Sequence, residues 1–259
     1  MKIQLLSDLH MEHCNYNLEV SPQTDVLVLA GDIANFSNFQ SYFKLLEGIE
    51  IPIVAVMGNH EFYPDYQSQV GLYTMDQVKD LLRDTFNSKP NFHLLDNETF
   101  TLGDFKFIGS TLWSGLKLRE RGVKTLSTDV LKAKIGYGIN DFHVVKDLNV
   151  NKMIEENAKC EEFILSEVNS DYRNIVVTHF PPHKTCVHPK YRDHVLNSYF
   201  VNDMEDEKFK GIEAWMFGHT HSSFNLTVEE TKLYCNPRGY TGATHVENPE
   251  FKQQLIIKL

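Results

Sequence analysis

The chain has 259 residues, 42% hydrophobic and 23% charged, which is enough to bury a full-sized core and ordinary for a soluble globular protein. A formal net charge of -10 without a basic stripe argues against binding a nucleic-acid duplex, while a small anionic substrate stays compatible because bound metal ions reverse a site's local potential. Cys14, Cys160, Cys186 and Cys235 form no C-x-x-C pair, and "MKIQLLSDLH" has no secretory apolar core, so reduced thiols, a cytoplasmic location and no membrane span are expected.

In chain order, short apolar runs that end in polar residues predict strands at 3–6, 26–30, 53–57, 105–108, 175–177, 214–217 and 255–257. Runs of this kind are what strands buried on both faces require. Between them, "FQSYFKLLEGI" (39–49), "MDQVKDLLRDTF" (75–86) and "NKMIEENAKCEEFILSEV" (151–168) place apolar residues at helical spacing. Strands alternating with helices make an α/β protein, expected as a single domain over 1–259. Residues 110–150 show neither period and are expected to be an insertion or lid, or a disrupted helix pair.

The polar residues at the strand ends are of few kinds. Asp8 and His10 follow the first run, Asp32 follows Gly31, Asn59 and His60 follow Gly58, His179 follows the 175–177 run, and His219 and His221 lie in "GHTH". Each alone reads as an ordinary cap, turn or loop histidine. Together, five strand ends carry only Asp, Asn and His, at the edge where open α/β sheets place their ligand crevice. Such donors without thiolate suit Mn, Fe, Ni or Zn rather than a closed structural zinc site. Seven ligands suffice for two ions if one carboxylate bridges, and two ions about 3.5–4 Å apart clamp an in-line displacement at phosphorus. In an extended chain His219 and His221, at i and i+2, would point to the same side.

In this order D-x-H, G-D, G-N-H-[DE], H and G-H-x-H, spanning residues 8 to 221, resemble the calcineurin-like metallophosphoesterase superfamily. The resemblance implies a four-layer α/β/β/α sandwich. It implies that Asp8, His10 and His221 bind a first metal, that Asn59, His179 and His219 bind a second, and that Asp32 bridges them, with Mn favoured. A hydroxide held between the ions would be the nucleophile. His60 would not ligate; it would stabilise the transition state or protonate the leaving oxygen.

Several branches of the superfamily fit poorly. "GDIANFSN" lacks the phosphate-binding Arg of protein phosphatases and the Tyr ligand of purple acid phosphatases. His60 is replaced in the lipid A precursor hydrolases, and the chain has no room for the appended region of the double-strand-break repair nucleases. The pattern is similar to small stand-alone bacterial-type members near the class III cyclic-nucleotide phosphodiesterases. The expected activity is hydrolysis of small phosphodiesters; the alternatives are a phosphomonoesterase on nucleotide or sugar phosphates, a nuclease or a non-catalytic binding module. A monoesterase would need a further cation, such as Arg238 pointing inward. His183, with His188 and His194, and Arg238 are expected near the substrate, and Arg119 and Arg121 are weaker phosphate clamps. Phe62, Tyr63 and Tyr66 would pack in the core or at the rim, or else stack on a base or aryl group of the substrate, and Glu61 would orient its loop.

Overall fold

Strands that are apolar on both faces must be covered twice, and the chain meets that demand with two sheets back to back and helices outside them. A computed structural model describes residues 1–64, 72–121, 123–242 and 245–259. In one sheet β1 (Lys2–Leu6), β2 (Val26–Ala30), β3 (Ile53–Val56) and β4 (Phe92–Leu94) run parallel. The second sheet contains β5 (Glu98–Leu102), β6 (Phe105–Ser110), β7 (Arg173–Thr178), β8 (Ile212–Phe217), β9 (Phe224–Val228) and β10 (Thr231–Cys235), in the order β5-β6-β7-β8-β10-β9. Its inner strands are parallel, while β5 and β9 close its edges antiparallel. A short ladder joins β11 (Thr241–Gly242) to β12 (His245–Val246), and β13 (Ile256–Lys258) returns antiparallel to β1.

Alternation along each strand divides the side chains among three cores. Ile3, Leu5, Val26, Val28, Val54 and Val56 meet Phe107, Ile175, Val177, Ala214 and Met216 between the sheets. Leu27, Leu29, Ile53 and Ala55 face the other way, under Tyr42 of α1 (Phe39–Leu45) and Val78, Leu82 and Phe86 of α2 (Met75–Phe86). On the outer side of the second sheet, Ile108, Val176, Trp215 and Phe217 pack with Cys160 and Ile164 of a long helix over 150–167. Three cores in series make four layers, the α/β/β/α sandwich.

Local chemistry sets the helix ends. Thr74 and Gln77 form a capping box at the start of α2. The first helix stops short of residue 49 because Gly48 takes φ 78° and turns the chain away. Residues 111–118 have no regular structure, yet Leu112, Trp113, Leu116 and Leu118 are buried. They are followed by α3 (Thr128–Gly138) and α4 (Asp141–Val144), and then by α5 (Val150–Glu167), whose first amides are capped by Asn149. The stretch 110–150 is thus part core filler and part broken helix pair. A last short helix, α6, covers Asn197–Phe200. Among the described residues no helix is long and apolar enough to cross a membrane.

Candidate metal centre

The carboxyl ends of β1, β2 and β3 lie side by side in one sheet, and those of β7 and β8 in the other. Every sequence-predicted ligand sits just past one of these ends. Backbone bonds tie the loops together: Asp8 N–H donates to Gly31 O (2.9 Å), His10 N–H to Asp32 O (3.1 Å) and Gly218 N–H to His179 O (3.0 Å). Asp8 (φ 51°), His10 (φ 47°), Asp32 (φ 53°), His219 (φ 72°) and His221 (φ 48°) all adopt the left-handed region. That conformation costs a non-glycine residue roughly 1–2 kcal/mol, and a run of such residues marks a site whose geometry matters more than its comfort. The glycines serve the same end. A Cβ on Gly58 would lie 2.1 Å from Asp32 Oδ1, and one on Gly218 would lie 2.5 Å from Asp8 Oδ2.

The side chains gather into two triads, Asp8/His10/His221 and Asp32/His179/His219, each with its ligand atoms within 4.8 Å of one another. In the first, His221 Nε2 is 3.3 Å from Asp8 Oδ1 and 3.0 Å from His10 Nε2. In the second, His179 Nε2 is 3.3 Å from Asp32 Oδ2, 3.1 Å from His219 Nδ1 and 3.1 Å from Asn59 Oδ1. Asp32 Oδ2 also lies 3.8 Å from His10 Nε2, between the two groups. With left-handed backbone at both residues, His219 and His221 go to different triads while both line one cavity, and the division between two sites is the one the resemblance implies.

Nitrogens converging on nitrogens need a cation, or a proton, between them. Burial lowers the His10 pKa and lowers that of His219 well below its usual value. Burial opposes charge on His221 and His179 as well, but hydrogen bonds donated to Asp8 and Glu247 carry His221 up to about 10, and the Asp32 charge carries His179 up to about 9. Each triad therefore keeps one neutral and one protonated ring, with a proton where a metal ion would sit. Oxygen and imidazole donors, orphaned toward one another and without thiolate, fit a divalent metal ion.

Further groups hold these ligands from behind. His221 Nδ1 meets Glu247 (2.6 Å), and His179 Nδ1 donates to Ala30 O (2.9 Å). Asn59 Nδ2 donates to buried Asp141 (3.1 Å), which also accepts from the Tyr63 and Tyr199 hydroxyls, so the amide oxygen of Asn59 is turned to the triad. Such outer contacts fix both the tautomer and the orientation of a ligand. Glu61 accepts the backbone N–H groups of Asp32, Ile33 and Gly58, bracing two loops as the sequence suggested. His60 stacks on Tyr63 at 4.2 Å, and its pKa is raised because Asp32 and Glu12 outweigh burial. Its Nδ1 faces Glu12 (2.9 Å) and its Nε2 faces the Tyr240 hydroxyl (3.2 Å).

A cavity of about 480 Å³ opens over Asp32, Asn59, His60, His219 and His221. Its far wall includes Ile139, Val187, Tyr191, Leu196 and Phe200, with His188 and His194. Two residues expected at the substrate are elsewhere. His183 spends Nδ1 on Thr185 and Nε2 on Asp206 (3.1 Å) and packs against Phe209. Arg238 donates to Leu9 O (3.0 Å) with its guanidinium over Tyr16, so it pins the β1 loop and does not line the cavity. Arg119 donates to Leu116 O (2.7 Å), and neither it nor Arg121 lines the cavity. Phe62 packs on Trp113 in the core, Tyr63 lines the cavity, and Tyr66 lies outside the described residues. The sequence reading missed Glu12, Asp141, Tyr199, Tyr240 and Glu247. Only Glu12 had a local signal, continuing the alternation of Asp8 and His10.

The family model for calcineurin-like phosphoesterases matches residues 1–223. Uncharacterized protein L509 of Acanthamoeba polyphaga mimivirus is 27% identical over 288 residues, covering 95% of this chain and 94% of that protein. Phosphopantetheinyl hydrolase (PptH) from Mycobacterium tuberculosis shares the fold with a TM-score of 0.72 at 16% identity, over 92% of this chain and 89% of that one. A dimetal phosphatase from Danio rerio gives a TM-score of 0.47 at 12% identity, over 90% of this chain and 86% of that one. With the family's model matched over residues 1–223, the chain belongs to the calcineurin-like phosphoesterases.

Proposed function

We propose that this protein is a dinuclear-metal phosphodiesterase acting on small substrates, with Asp8, His10 and His221 holding one ion, Asn59, His179 and His219 the other, and Asp32 between them. The observation that supports a diester is the absence of side-chain cations around the cavity: no described residue lining it is Lys or Arg. The undescribed positions 65–71, 122, 243 and 244 contain neither residue type. A phosphomonoester is a dianion and calls for an added guanidinium or ammonium, whereas a diester carries one charge. Arg238, which could have supplied that charge, is committed to Leu9 O and Tyr16. The net charge of -10 and the acidic lining, Asp32, Asp141 and Glu247, favour a small substrate over a nucleic-acid strand.

Bound ions would supply a water activated at neutral pH and the positive charge that steadies the transferring phosphoryl group. The chain supplies the rest. Asp32 and Asn59 set the spacing of the two triads, and Asp141 keeps the Asn59 oxygen inward. His60, on the cavity wall, is placed to donate to a phosphoryl oxygen or to protonate the leaving oxygen through Nε2. The largely apolar wall formed by Ile139, Val187, Tyr191, Leu196 and Phe200 gives room for a second ester arm. Donors of this kind accept Mn, Fe, Ni or Zn, with availability deciding among them, and manganese is the metal favoured by the family resemblance.

The test is reconstitution of chelated protein with Mn, Ni, Zn or Mg, followed by assays on bis-p-nitrophenyl phosphate and p-nitrophenyl phosphate. Preference for the diester, lost in Asp32→Ala and His60→Ala, is expected. Preference for the monoester would transfer the assignment to a phosphatase, and no turnover despite bound metal would end the esterase reading.

A further inference from the structure

The geometry points to Glu12 as the residue that positions both His10 and His60, holding a metal ligand and the phosphoryl-facing imidazole on one carboxylate oxygen. This role rests on the phosphoesterase reading above. Glu12 Oε1 lies 2.9 Å from His10 Nδ1 and 2.9 Å from His60 Nδ1, and the Glu12 side chain is only 1% exposed. One carboxylate oxygen shared by two ring nitrogens at this distance is the acceptor for both, so each ring presents Nδ1–H to it.

That requirement settles what the other nitrogens do. His10 Nε2 is left bare toward His221 Nε2 (3.0 Å) and Asp32 (3.8 Å), the orientation a ligand needs. His60 Nε2 is turned to the cavity, beside the Tyr240 hydroxyl at 3.2 Å. The two rings meet edge to face, 4.5 Å apart at 74°, so one anchor fixes the angle of the phosphoryl-facing ring against the metal ligand. Without Glu12, the Tyr63 stack would still hold the plane of His60 but not the nitrogen it presents.

Packing alone does not explain this carboxylate. Glu12 Oε2 is buried and has no hydrogen-bond partner among the described residues. A buried carboxylate oxygen without a donor weakens a fold, and an apolar side chain there would avoid the loss. The arrangement makes sense where the other oxygen sets two working imidazoles, since orienting partners of this kind control both ligand basicity and ring direction.

The first experiment needs no substrate. In long-range ¹H–¹⁵N spectra of the full-length metal-free chain labelled at histidine, with peaks assigned through His10→Asn and His60→Asn, both rings are expected to be protonated at Nδ1. Glu12→Ala is expected to release His60 to the Nε2–H form that a free neutral imidazole favours. The second experiment is kinetic, on bis-p-nitrophenyl phosphate at saturating metal, because loss of an orienting contact weakens metal binding by about 10–100-fold. There Glu12→Ala is expected to lower kcat by about 100-fold or more, with KM much less affected. Glu12→Gln, which keeps an acceptor oxygen, is expected to recover most of that loss. A bare Nδ1 on His60 or His10 in the unmodified protein overturns the role, as does wild-type kcat in fully loaded Glu12→Ala. If Glu12→Ala does not fold, the unmodified spectrum and Glu12→Gln carry the test. Failure of the phosphodiesterase reading is separate: it is a wild-type protein that cleaves no diester with any metal, whatever its tautomers.

Discussion

At the scale of single residues, each triad in the metal-free chain stores a proton, on His221 with a pKa of about 10 and on His179 at about 9. Ligands must be neutral to bind a cation, so these protons have to leave. At pH 7 metal binding is expected to release about two protons, and affinity is expected to rise with pH until it passes these two values. Calorimetry in buffers of different ionisation enthalpy would measure the release; a buffer-independent heat would contradict it. Asp141 gives a second prediction. Asp141→Ala leaves Asn59 Nδ2 and the Tyr63 and Tyr199 hydroxyls without their common acceptor. Stability is expected to drop by about 1–3 kcal/mol for each donor left buried and unpaired. Metal affinity is expected to fall by about 10–100-fold as Asn59 becomes free to flip. Thermal unfolding and metal titration check the two parts. Asp141 was unreadable in the sequence because its contact with Asn59 crosses 82 residues. No periodicity reports a contact of that kind.

At the scale of elements, the loops after β2, β3 and β8 depend on glycines with no spare volume. Gly218→Ala would drive a Cβ to 2.5 Å from Asp8 Oδ2 and 2.9 Å from Ala30 O. It is expected to reduce both metal content and melting temperature, as is Gly58→Ala, which strikes Asp32. Gly103 offers the contrast: its φ is 61° but nothing lies within 4 Å of its Cβ position. Gly103→Ala should cost only about 1 kcal/mol of backbone strain and leave metal binding intact. Metal analysis beside calorimetry on the three variants separates these outcomes. Strands β1, β2, β3, β6, β7 and β8 were legible as apolar runs because both faces are covered, whereas the inner strand β10, whose Lys232 is exposed, was not. The edge strands β5 and β9 were not, since their side chains alternate between covered and solvent-facing sides. Residues 111–118 were equally opaque: irregular backbone that fills a core has no period to find.

At the scale of the whole molecule, the candidate ligands come from both sheets, four from the loops after β1, β2 and β3 and three from those after β7 and β8. Metal bound there would join the two halves of the sandwich and, having no such site in the unfolded chain, would stabilise the fold. The expected gain is about 2.7 kcal/mol when free metal is at 100 times its dissociation constant. Calorimetric scans with chelator and with graded metal would show a concentration-dependent melting temperature; an unchanged one would place the metal elsewhere. The sequence by itself determined the α/β class and the kinds of side chain at the strand ends, and the four layers came from the family resemblance those side chains carry. Short strands buried on both faces and ligands placed within a few residues of a strand end are local features, written in consecutive positions. Only the tertiary structure decided what surrounds them. His183 lies close to His179 in sequence, yet its side chain serves a neighbouring loop, while Asp141 and Glu247, far from any candidate ligand in sequence, reach the centre. Which polar side chain meets which depends on loop paths set by left-handed turns and by packing between distant segments, and these are properties of the folded chain rather than of any stretch within it.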